Sequence, residues 1–126
     1  MLDKIKELAV ADNDIEVLWL YGSRANGRFH DQSDYDLAVA FKNFDLSVSD
    51  KYLRPNMLAI DWALLLGVEE SQISIIDINS SPAYLAFNVV EYGSVVYQEP
   101  SMRCITEMNR IYSQYEFQMI ESNKNA

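Results

Sequence analysis

An apolar run rich in β-branched and aromatic residues, Ile15 to Tyr21, stops dead at Gly22-Ser23. Ten residues later Asp34-Tyr35-Asp36 opens a second, mostly apolar run to Phe41. Runs of this kind predict strands, the first ending in a turn and the second covered on both faces. Glycine at the turn lets the backbone come close to a phosphate because no Cβ intervenes. Ser23 adds a hydroxyl and a backbone N–H, and is expected to cap a short helix whose positive end faces the same point. Gly27 to Ser33 reads as polar loop.

The rest of the chain alternates between helical and strand periods. Leu2 to Ala11 carries apolar residues at helical spacing, and Asp12-Asn13-Asp14 reads as a turn. Ser47 to Leu66 predicts a helix stopped by Gly67, with Pro55 either kinking it or marking its true start. Ile73 to Ile78 predicts a third strand, carrying Asp77 among isoleucines. Ser81-Pro82 opens a helix to Glu91, Ser94 to Tyr97 reads as a short edge strand, and Pro100 to Ser122 as a last helix. The tail Asn123-Lys124-Asn125 is expected to fray. This order predicts a single α/β (α+β) domain spanning residues 1–126, a small mixed sheet flanked by helices, with a core over about 2–97 and a C-terminal helix over about 100–122.

Two aspartates at i and i+2 on a strand project from one face. Like charges that close repel and raise one another's pKa unless a cation lies between them. Hard carboxylate oxygens beside a polyphosphate suit magnesium. Asp77 is an acid inside an apolar strand, a costly placement unless it is paired or bound to metal. If its strand lies beside the strand of Asp34 and Asp36, three carboxylates converge, and two metal ions are able to clamp an in-line displacement at phosphorus. Arg24 has two open readings, a further charge for a triphosphate or a surface salt bridge.

Composition excludes several classes. The net charge is −9, from 19 acidic and 10 basic residues, so an extended DNA or RNA partner is disfavoured and a basic protein partner or plain solubility is left. No apolar run reaches the ~20 residues of a membrane span, and the N-terminus lacks the apolar segment of a signal peptide. The single cysteine, Cys104, excludes an internal disulfide, fits a reducing cytoplasm and reads as a small hydrophobe on a helix face. Tyr112, Tyr115, Phe117, Met119 and Ile120 on the last helix read either as core packing or as a docking face.

Taken together, Gly22-Ser23-x10-Asp34-x-Asp36 resembles the signature of the DNA polymerase β-like nucleotidyltransferase superfamily. With Gly-Ser-Arg-Ala and Ser-Asp-Tyr-Asp-Leu-Ala-Val on so short a chain, it is similar to the minimal nucleotidyltransferases (MNT) that act as MntA-type antitoxins in HEPN/MNT toxin–antitoxin systems. The resemblance implies that Gly22 and Ser23 hold nucleotide phosphates, that Asp34 and Asp36 bind magnesium, and that Asp77 is the third acid, a metal ligand or base. It also implies transfer of AMP from ATP to a tyrosine of a partner HEPN ribonuclease toxin, and the shortness of the chain points the same way. The Arg28-Phe29-His30 stretch is bulkier than the family's loop. Arg24-x5-His30 coincides with a loose pattern of the HEPN ribonucleases themselves, but here it falls in a glycine-containing loop. Two other functions stay open: a small-molecule nucleotidyltransferase of the aminoglycoside-inactivating kind, and an antitoxin that acts by binding alone.

Overall fold

The computed structural model describes residues Met1 to Lys124. Four helices and four strands follow one another, with β1 and β2 consecutive: α1 (Leu2–Ala11), β1 (Ile15–Tyr21), β2 (Tyr35–Phe41), α2 (Val48–Leu66), β3 (Ile73–Asp77), α3 (Ala83–Tyr92), β4 (Ser94–Gln98) and α4 (Arg103–Lys124). Single 3-10 turns precede β2 and β3, at Gly22–Arg24 and Glu70–Gln72. The strands form one mixed sheet in the order β3-β2-β1-β4. β1 runs antiparallel to β2 and β4, whereas β2 and β3 are parallel.

The pleat of this sheet sorts the core into two layers. Leu18, Leu20, Leu37, Val39, Ile73 and Ile75 point to one face, where α1 and α2 cover them with Ile5, Ala9, Ala59, Trp62 and Ala63. Val17, Trp19, Ala38 and Ala40 point to the other, under α3 and α4, which contribute Ala86, Val89, Val90, Cys104 and Ile111. Strands covered on both faces have no reason to alternate polar with apolar residues, which accounts for the continuous apolar runs of β1 and β2. No helix among the described residues is long and apolar enough to cross a membrane.

The helix ends follow their local chemistry. The Ser47 hydroxyl caps α2 by accepting from the Asp50 N–H, and Gly67 closes it in the left-handed conformation at φ 70°. Pro55 does not start α2. It sits half-buried inside a continuous helix, where it removes the N–H that would have met the carbonyl of residue 51. α4 starts at Arg103 rather than Pro100 and continues through Asn123 and Lys124, which were expected to fray; Asn125 lies outside the described residues. Its stripe is divided: Ile111 is core, Tyr112 and Tyr115 are half-buried against Phe87, and Ile105, Phe117, Met119 and Ile120 are exposed. Cys104 is buried on the core side.

The end of the sheet where β2 and β3 finish is clamped by charge. Glu107 is 5 % exposed and accepts hydrogen bonds from Asn79 Nδ2 at 2.8 Å, Arg103 Nε at 3.0 Å and Arg110 Nε at 2.8 Å. Arg103 spreads further, to Glu16 at 2.8 Å, the Phe41 carbonyl at 3.0 Å and Asn79 Oδ1 at 2.8 Å. Burial alone would push the Glu107 carboxyl up, but the bonds from Asn79, Arg110 and Arg103 outweigh it and hold it below the ordinary value of 4.5. An acid so depressed stabilises the fold above pH 4.5, and that contribution is lost as pH falls through its folded-state value. Glu107→Gln should therefore lower stability at neutral pH by about 3–5 kcal/mol, since Arg110 loses its carboxylate and Arg103 keeps only Glu16. It should also flatten the dependence of melting temperature on pH below 4.5, as read by calorimetry across a pH series.

Candidate active site

The opposite end of the sheet gathers the residues that the motif singles out. β1 delivers the chain to Gly22 with Tyr21 as its last residue, and Tyr21 is the register partner of Asp36 at the start of β2. Gly22 adopts φ 71°, and a Cβ built on it would lie 2.4 Å from Asp36 Oδ2. The glycine is thus required twice: for a left-handed backbone, and because the Asp36 carboxylate occupies the space a side chain would take. This is a tighter constraint than the open approach to a phosphate that the sequence suggests.

Ser23 does not cap a helix. It lies inside a single 3-10 turn from Gly22 to Arg24 that makes no side-chain cap, so no extended helix dipole is aimed at the site. The turn's own N–H groups are what it offers, since the first donors of any helical turn lack partners within it. The turn closes through Ala25 N–H to the Gly22 carbonyl at 3.1 Å, and the loop returns as Arg28 N–H donates to the Ser23 carbonyl at 3.1 Å.

Asp34 stands exposed just ahead of β2, and Asp36 is half-buried on the same side. Burial, and then the charge of Asp34, raise the Asp36 carboxyl above its ordinary range. Burial, and then Asp36, push the Tyr21 hydroxyl up to about 12, so it stays a proton donor beside the carboxylates. Among the described residues, neither aspartate side chain has an ion pair or a hydrogen-bond partner. Two adjacent, uncompensated oxygen donors fit a hard divalent cation, whose charge would remove the repulsion.

Two sequence-predicted members lie elsewhere. Tyr35, between the aspartates, faces the other layer, and Arg24 goes with it. The Arg24 guanidinium stacks over the rings of Tyr35 at 4.1 Å and Phe29 at 4.8 Å. It donates to the Ser33 carbonyl from Nη2 at 2.8 Å and from Nε at 3.2 Å, and to the Asp31 carbonyl at 3.4 Å. Arg24 therefore acts here as a clasp that shapes the loop leading into Asp34, and among the described residues it forms no salt bridge. His30, exposed in that loop, accepts the Gln32 N–H on Nδ1.

Asp77 corrects the expected triad of acids. β3 does lie beside β2, but Asp77 pairs with Val39, at the far end and on the α2 face. There it meets Arg54 Nη2 at 3.6 Å and borders an apolar groove of about 830 Å³ between α2 and the turn after β3. Arg54 also binds Asp14 at 3.1 Å and stacks over Phe41, so Asp77 is a paired structural acid. The residue of β3 that the register sets beside Asp36 is Ser74, exposed on the same face. Among the described residues no three His, Cys, Asp or Glu side chains are grouped to hold a metal. Ser74 and Tyr21 are the site neighbours that the sequence analysis does not find. Both depend on register, which a two-residue period cannot supply without knowing where pairing starts.

Two substitutions separate these roles. Gly22→Ala places a methyl group into the Asp36 carboxylate at a left-handed residue, and should weaken ATP binding by calorimetry at least about tenfold while costing about 1–2 kcal/mol of stability. Arg24→Lys keeps the charge but not the planar fork, so it should impair nucleotide transfer about as much as Arg24→Ala. Rescue by lysine would restore the triphosphate role.

The polymerase β nucleotidyltransferase family model matches residues 3–101. The protein adenylyltransferase MntA of Aphanizomenon flos-aquae (strain 2012/KM1/D3) is 26% identical over 113 residues, covering 87% of this chain and 75% of that one. Among solved structures, a toxin–antitoxin crystal structure with AMP-PNP superposes with a TM-score of 0.72 at 22% identity, over 99% of this chain and 98% of that one. An MNT antitoxin in complex with tri-AMPylated Shewanella oneidensis HEPN toxin does so with a TM-score of 0.65 at 18% identity, over the full length of both. With a Gly-Ser turn set against a pair of strand carboxylates, and a family model that spans the whole sheet, the chain belongs to the polymerase β nucleotidyltransferase family.

Proposed function

We propose that the protein is an antitoxin that transfers AMP from ATP to a tyrosine of a HEPN toxin. The observation that carries this reading is the uncompensated Asp34–Asp36 pair set against the Gly22 backbone. The similarity to a protein adenylyltransferase, and to antitoxins held in complexes with AMP-PNP or an AMPylated HEPN toxin, supports the choice of acceptor.

The chain's own residues divide the work. Gly22 and Ser23 bring backbone N–H groups to the phosphates without a side chain in the way. Asp34 and Asp36 would hold magnesium, which supplies charge neutralisation for the polyphosphate and the leaving group. Tyr21, kept protonated, offers a hydrogen bond at the wall of the site. The acceptor oxygen attacks the α-phosphorus in line, a new P–O bond forms, and pyrophosphate leaves with the electrons of the broken one. A tyrosine hydroxyl has a pKa near 10, so its proton must go to a base, and a free oxygen of the carboxylate pair is within the site to accept it.

Incubation with ATP, magnesium and the cognate HEPN protein should add adenylyl mass to a toxin tyrosine, read by intact-protein and peptide mass spectrometry. Asp36→Asn should reduce the rate at least about a hundredfold, the scale of losing a charged contact made to the reacting phosphates. A toxin that stays unmodified yet is silenced equally by the wild type and Asp36→Asn would replace this reading with neutralisation by binding alone.

A further inference from the structure

We propose that Ser74 is the third position of the catalytic site, and that its hydroxyl makes this a two-carboxylate site whose metal is held chiefly by the nucleotide it arrives with. The inference rests on the nucleotidyl-transfer reading and names how that site binds its metal.

Strand register carries the argument. In the parallel pair, Asp36 is opposite Ser74 and Ala38 opposite Ile76, and partners in register project to the same face. Ala38 and Ile76 both pack under α3 and α4, which locates that face independently. Neighbouring strands lie about 4.8 Å apart, so the Ser74 side chain emerges about that far from the base of Asp36. Nothing covers it: Ser74 is exposed, and no hydrogen bond to its hydroxyl engages another side chain among the described residues. Tyr21 flanks Asp36 from β1 on the other side. The acidic pair therefore has one open neighbour from which a third group can reach the same point, and that neighbour is a serine. The only acid on β3, Asp77, is turned to the opposite face and neutralised by Arg54.

A neutral hydroxyl is a weak ligand for a hard cation, and it does not deprotonate at neutral pH. With two carboxylates alone, the protein gives a divalent ion few of its six oxygen ligands, and the remainder come from water or from phosphate. The free protein should therefore bind metal poorly, and metal and nucleotide should bind with strong mutual dependence. A carboxylate at position 74 would supply a third charged ligand and break that dependence.

The test titrates Mn2+, without nucleotide or toxin, into the full-length protein and follows the free ion by electron paramagnetic resonance. Ser74→Asp should tighten Mn2+ binding at least tenfold over wild type. Ser80→Asp, which adds the same charge at the far end of β3, should not. A second variant covers the case in which Ser74→Asp misfolds: Ser74→Cys with Cd2+ should develop a thiolate-to-metal charge-transfer band in the ultraviolet that Asp36→Ala in the same background removes. Equal tightening by Ser74→Asp and Ser80→Asp would overturn the proposal, as would a Ser74→Cys band that survives Asp36→Ala. Because these readouts contain neither ATP nor toxin, a failure of the toxin-modification reading leaves them intact. Loss of adenylyl transfer alone does not touch them either.

Discussion

The Asp36 carboxylate rests where the side chain of residue 22 would be, and the candidate-site end of the molecule is organised around that contact. It requires glycine, it requires a left-handed turn, and it requires β1 and β2 to pair so that Tyr21 and Asp36 meet. With those satisfied, the chain leaves β1 through one tight 3-10 turn and re-enters β2 through a loop. Arg24 holds that loop by stacking on Tyr35 and binding the carbonyls of Asp31 and Ser33. The pleat of β2 therefore serves two ends: its aspartates face the candidate site, and the tyrosine between them anchors the approach.

Acids have contrary fates at the two ends of the sheet. Glu107 and Asp77 are buried with arginines beside them, and their charge holds α4 and α2 in place. Asp34 and Asp36 have no such partner among the described residues, and burial together with the Asp34 charge raises the Asp36 carboxyl. Burial by itself thus does not distinguish a functional acid from a structural one, since Asp77 is the more buried of the strand aspartates. What distinguishes them is whether the protein has already answered the charge.

Much of the fold was legible because the strands announce themselves. Ile15–Tyr21 was delimited correctly by its β-branched and aromatic run ending in glycine, and Gly67 and Ser47 marked α2 by their capping chemistry. Pro55 did not mark the start of α2 because the helix already begins at the Ser47 cap and runs on through the proline. For the site, adjacency along the chain was enough to join Gly22 with Asp34 and Asp36. It was not enough for Asp77. Counting along β3 says that every second residue shares a face, but which set faces Asp36 depends on the parallel register, and that depends on how far α2 and the turn after it carry the chain. Arg24 stayed between two readings for a related reason: a cation beside a phosphate turn suggests a phosphate ligand, and the aromatic rings it stacks on lie on the other layer.

The charge clamps are not spread evenly, and this gives the molecule a direction. Arg54, Arg103, Arg110 and Glu107 tie helices on both layers to one rim of the sheet, while the opposite rim is held by backbone turns and a single stacked arginine. Cooperative structure is hardest to open where buried contacts and ion pairs are dense, and easiest where a loop is held locally. By that measure the loop rim beside the candidate site is the less tightly held of the two, and the clamped rim is the fixed base. A bulky macromolecular acceptor can be accommodated by adjusting the loop between Gly22 and Asp34, without loosening the core beneath it.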